Sequence, residues 1–152
     1  MRLTVHRGLA VVLLAVMLAV MLGLVGCASS RAASTDADPV RLQTVAGTDL
    51  HRVILTRHAS ENLGIMTGDV RETTSGTATR TLVPLTAIVY DPQGAPWVYT
   101  TPSALTFVRT RIVIDHTTVR SAYLTSGPPA GTAVVTVGAS ELLGAEYGVG
   151  GE

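Results

Sequence analysis

The sequence predicts a mainly β protein: a small antiparallel β-roll or barrel with one or two short helices, preceded by an N-terminal apolar signal or anchor helix. Three observations predict it. From residue 50 onward, short runs alternate apolar and polar residues with the period of two that a half-buried strand requires. These runs recur at roughly ten-residue spacing, with clusters of Gly, Pro, Ser and Asp between them. The chain has 152 residues, and setting aside a leader of 26 leaves about 126, enough for one modest domain and too few for a second sizeable one.

The leader has a recognisable grammar. Met1 to Arg7 carries Arg2 and Arg7 and no acid, and Gly8 to Val25 is an apolar run of about 18 residues, a positive region followed by a hydrophobic one. The run ends in Leu24-Val25-Gly26-Cys27, which resembles a bacterial lipobox. Small residues before the cysteine suit a signal peptidase, the thiol accepts a diacylglyceryl group, and cleavage before Cys27 leaves a lipidated N-terminus. An anchor of two or more acyl chains is effectively stable, since each buried methylene contributes about 0.8 kcal/mol. The alternative is an uncleaved transmembrane anchor with Cys27 as a bystander. Both place the rest of the chain on the extracytoplasmic face of the membrane, because the positive end stays inside. Cys27 is the sole cysteine, so no intramolecular disulfide forms, and no base adjoins it in sequence to make a catalytic thiol.

Residues 27–45 are expected as lipidated cysteine and flexible tether, since "ASSRAASTDADPV" is small and polar. Residues 46–152 are expected as the β domain. "DLHRVILT" alternates as a strand; "RHASENLG" reads as a short helix closed by Gly64; "IMTGDV" is extended. "RETTSGTATR", residues 71–80, has no hydrophobic period and reads as a polar connection with a turn at Ser75-Gly76. "LTAIVY" and "PWVYTT" flank "DPQGA", a hairpin turn. "TFVRTRIVID" reads as one strand with one dry and one partly wet face. "TVRSAYLT" and "TAVVTVG" are further strands around the tight loop "SGPPAG", and "ASELLGAEYG" suggests one or two helical turns.

Formal net charge is zero and aromatic residues make up 4% of the chain, so neither a basic surface nor a stacking platform points to nucleic acid. No phosphate-binding loop, GxSxG elbow, HExxH or CxxC is present, so no catalytic residue, cofactor or metal site is assigned. The nearest metal half-site is His58 with Glu61 at helical i, i+3 spacing, and His51, His58, Glu61 and Met66 are the residues a solute- or metal-binding lipoprotein would use. The bland reading of His58 and Glu61 is a solvated helix face. Arg109 and Arg111 fit either a site for a partner's carboxylates or the wet face of an edge strand. Trp97 and Tyr99 share one side of their strand, where packing is the default.

Taken together, "VPLTAIVYDPQGAPWVYT", "FVRTRIVID" and "SGPPAGTAVVTVGASELLGAE" resemble the C-terminal part of periplasmic adaptor subunits of RND efflux systems, also called membrane fusion proteins. The matching residues include Val83-Pro84, Asp91, Gly94, Trp97, Tyr99, Phe107, Arg109, Gly127, Gly131 and Gly138-Ala139. "VILTRHASENLGIMTGDV" upstream resembles the segment with which such adaptors often begin. The resemblance implies a membrane-proximal domain assembled from both ends of an adaptor, with only residues 71–80 where the family inserts its helical hairpin, lipoyl-like domain and most of its barrel. It further implies a non-catalytic protein docking on an inner-membrane transporter subunit; the lipobox adds an anchor in membrane lipid through Cys27, and the contact surface is expected on the strands around Trp97, Tyr99, Phe107, Arg109 and Arg111. A remnant of a longer adaptor with no retained role is the remaining alternative.

Overall fold

The computed structural model describes residues 38–75 and 78–148. The leader, Cys27, most of the tether and Gly76 of the expected turn lie outside the described residues. Among the described residues no helix is long and apolar enough to cross a membrane.

The first strand pair shows how alternation becomes packing. β1 (Val40–Thr44) runs antiparallel to β2 (His51–Leu55), with Val40 opposite Leu55 and Leu42 opposite Val53. Val53 and Leu55 are buried, and Val40 packs against the same cluster. The expected tether therefore ends earlier, and residues 40–44 belong to the sheet. Five residues of alternation beside a polar segment carry too little signal to be separated from it; the neighbouring strand decides.

Helix α1 (Arg57–Asn62) starts where the Thr56 hydroxyl accepts from the Ala59 backbone N–H at 3.2 Å, and it ends near Gly64 at φ 60°. β3 (Met66–Asp69) follows. The expected polar connection is instead a hairpin: β4 (Arg71–Ser75) pairs with β5 (Ala78–Pro84) from Arg71 opposite Leu82 to Ser75 opposite Ala78. Its missing hydrophobic period is made good by threonines, which have high strand propensity; Thr74 faces Thr79 and Glu72 faces Thr81. A short 3₁₀ turn at Leu85–Ala87 leads into β6 (Ile88–Tyr90), which forms the expected hairpin with β7 (Pro96–Ser103), Val89 lying opposite Trp97.

The run expected as one strand is two. β8 (Thr106–Arg111) and β9 (Val113–Thr117) belong to different sheets, and Ile112 between them is 1% exposed. β10 (Ser121–Ser126), β11 (Ala133–Val137) and helix α2 (Ala139–Glu146) complete the chain.

All pairings are antiparallel. One sheet runs β1-β2-β8-β7-β11-β3, with β6 on the part of β7 that β11 leaves free; the other runs β4-β5-β10-β9. The larger sheet is buried on both faces. One face, with Val53, Leu55, Tyr99, Phe107 and Val135, packs under α1 and α2 through Ala59, Ala139 and Leu142. The other face, with Val98 and Val134, meets Val83, Ala122 and Leu124 of the smaller sheet. Two of the crossings between sheets fall at Val70 and Ile112, both in that second core. The mainly β, antiparallel expectation with two short helices holds, as two open sheets stacked in a helix–sheet–sheet order.

Candidate functional site

Register alone gathers most of the expected site. β7 and β8 pair with Trp97 opposite Arg111 and Tyr99 opposite Arg109, and β2 sets Val53 opposite Phe107. Because side chains alternate, Trp97, Tyr99, Phe107, Arg109 and Arg111 share one face of the sheet. This is also the face that α2 covers.

The covering corrects the expected contact surface. Tyr99 is 0% exposed, Phe107 3% and Arg109 9%, so these three face the interior. Of the five, Arg111 is exposed and Trp97 half-buried. β8 is no edge strand either, since it lies between β2 and β7. The wet-edge reading of Arg109 and Arg111 assumed a free side that the fold does not leave.

At the centre of the covered face is Glu146, itself buried. Its Oε2 accepts from the Tyr99 hydroxyl at 2.6 Å, and its Oε1 accepts from the His51 backbone N–H at 3.3 Å. Arg109 Nε lies 3.1 Å from Oε1 as an ion pair, although its N–H is not aimed along a hydrogen bond. Arg109 Nη1 donates to the Tyr147 hydroxyl at 2.8 Å, and the guanidinium lies over the Trp97 and Tyr147 rings at 4.7 and 5.2 Å. Arg111 approaches the same indole at 5.8 Å. Trp97 Nε1 donates to Asp91 Oδ2 at 2.9 Å, and Asp91 Oδ1 accepts from the Gln93 and Ala95 backbone N–H groups.

The electrostatics are those of a closed circuit. Burial, and then the bond to Glu146, push the Tyr99 phenol far above its usual range, so it stays protonated and donates. Burial pulls Arg109 down, but the Tyr147 hydrogen bond and the Glu146 charge outweigh it and the net shift is upward. The Trp97 hydrogen bond is the largest influence on Asp91; it holds the carboxyl below its ordinary 3.8, against partial desolvation and with help from the two backbone donors. One buried cation meets one buried anion, and the carboxylate is engaged on both oxygens. Such an arrangement braces the C-terminal end of α2 against β7, β8 and the start of β2.

Sequence reasoning missed Glu146 and Tyr147. The signal was present: Ala139, Leu142 and Glu146 fall at i, i+3 and i+7, one helix face, and an acid on an otherwise apolar face calls for a buried partner. The alternative metal set is scattered. His58 Nε2 pairs with Asn62 Nδ2 at 3.2 Å, His51 Nδ1 stands 4.0 Å from Glu146 Oε1, and Met66 is exposed on β3. Among the described residues, no three of His, Cys, Asp and Glu gather as metal ligands would.

No family model matches the chain, and no curated protein matches it. A solved structure to which it is similar is the NMR structure of a 180-residue segment of SilB from Cupriavidus metallidurans CH34, comprising the N-terminal metal-binding site and the membrane-proximal domain. The two are 18% identical, with a TM-score of 0.42. The match covers 62% of this chain and 59% of the SilB segment.

Proposed function

We propose that the chain is a lipid-anchored, extracytoplasmic, adaptor-like module that docks on a membrane efflux transporter and catalyses no reaction. One observation carries the reading. The two stretches that resemble opposite ends of an efflux adaptor pair with each other directly: β2 with β8, and β3 with β11. Between them, where a full adaptor goes out and returns, this chain has the β4–β5 hairpin. The domain implied by the resemblance is thus closed on itself without the inserted domains.

Its mechanism is positioning. An acyl anchor confines the module to the membrane plane and raises its effective concentration beside a partner, so a modest interface suffices. The braced face supports the reading too, because it spends its charged groups on each other and leaves the exposed margin near Trp97 and Arg111 for contact. The test is co-purification of a tagged chain, anchored through Cys27, from membranes solubilised in mild detergent. A transporter component is expected in the eluate, and its absence under those conditions overturns the reading.

A further inference from the structure

The margin of the helix-covered core is open on one side. β1 is an end strand of the larger sheet among the described residues. Thr56 N–H donates to the Pro39 carbonyl at 3.1 Å, which sets residue 39, and with it 41 and 43, facing β2. In an antiparallel pair the backbone groups alternate, so the N–H and C=O of Val40, Leu42 and Thr44 point away from the sheet. Opposite them in register, Val53 and Leu55 place their side chains in the core under α2. Val40 and Leu42 extend that apolar face toward the edge, and Leu42 is 42% exposed.

Beyond β1 the face runs into a groove of about 810 Å³ lined by Val40 and Leu42, by Leu63 after α1, and by Gly144 and Ala145 of α2. Gly144 and Ala145 are small and project little into it. Among the described residues, the charged ones in the lining are Asp38 and Glu141, both acidic and both exposed. A strand edge unpaired among the described residues and an apolar trough on the same side call for one kind of guest. An extended segment satisfies the outward backbone groups of β1, and every second side chain drops into the groove.

We infer that the β1–α2 groove is a docking site for an extended apolar segment of a protein partner bearing a basic residue, which adds to the sheet as a strand beside β1. The acidic lining selects the basic residue. It also disfavours a second copy of this chain: β1 paired antiparallel with itself about Leu42 sets Val40 against Thr44 and Arg41 against Gln43, and brings no cation to Asp38 or Glu141. The inference rests on the docking reading above only for the source of the segment.

The test uses the full chain in detergent and two fluorescent peptides, RTVTVTVR and ETVTVTVE. The arginine-flanked peptide is expected to bind about tenfold tighter by anisotropy. Leu42→Pro removes an outward N–H together with a groove-lining side chain, which an edge strand tolerates, and should weaken binding about tenfold. Gly144→Leu fills the groove without touching β1 and should weaken it similarly, with thermal unfolding showing that both variants fold. Binding of neither peptide, or binding unchanged in Gly144→Leu, overturns the proposal. A dimer that Leu42→Pro dissociates also overturns it, by making a second copy the occupant. The peptides report on the groove and membrane co-purification on the partner, so failure of the site and failure of the docking reading are told apart.

Discussion

Arg109 and Glu146 are the charged residues that the described fold buries, and their pairing makes a sharp energetic forecast. Removing one member of a buried pair leaves the other uncompensated, which typically costs 3 to 5 kcal/mol. Glu146→Ala is therefore expected to lose about 3 kcal/mol in urea unfolding, and Tyr99→Phe about 1 kcal/mol for its one hydrogen bond. The double change Arg109→Met with Glu146→Leu should be less damaging than Glu146→Ala alone, because apolar side chains of similar volume need no counter-charge. Equal losses for the double and single variants would show that the pair is not what holds α2. Asp91 adds a pH dependence. Its folded pKa lies below its ordinary 3.8, chiefly through the Trp97 bond, so its contribution is complete above that value and disappears as pH falls through the folded one. The stability lost on acidification below about pH 4 should accordingly be smaller in Asp91→Asn than in the parent, with no difference in pH dependence near neutrality.

At the scale of elements, α2 depends on how its first residue is approached. Gly138 caps it at φ 86°, where an L side chain is strained, and a Cβ there would run into Ile65 Cδ1. Gly138→Ala is expected to cost about 2 to 3 kcal/mol and to lower the helical circular dichroism signal. A loss under about 0.5 kcal/mol would show that the backbone relaxes there. Strand boundaries tell the complementary story. The β6–β7 hairpin, α1 with Gly64, and the apolar strand β11 were legible because each carries its own signal: a Pro-Gly turn, a cap, a Val-rich run. β1 and the β4–β5 hairpin were not, since their residues are polar or too few and their strand state comes from a neighbour's edge. The break at Ile112 was invisible for the opposite reason. Its alternation runs straight through, and only the stacking of two sheets turns one strand into two.

At the scale of the whole molecule, the proposed anchor and the domain make separate demands. Cys27→Ala should abolish lipid labelling and leader processing while leaving the unfolding midpoint of the domain unchanged. Persistent labelling would refute the lipobox reading. The candidate site was half legible. Trp97, Tyr99, Phe107, Arg109 and Arg111 could be placed on one sheet face from a period of two, but whether that face meets solvent depends on α2, whose Glu146 is 47 residues from Tyr99 in sequence. Local pattern by itself determined the mainly β class, the β6–β7 turn and the first helix, because each is written in residues a few positions apart. Tertiary structure alone decided that Tyr99 and Arg109 belong to an internal brace, that Glu146 completes it, and that β1 ends the larger sheet among the described residues. Burial and edge are properties of what packs alongside, and a strand's own residues cannot specify its neighbours.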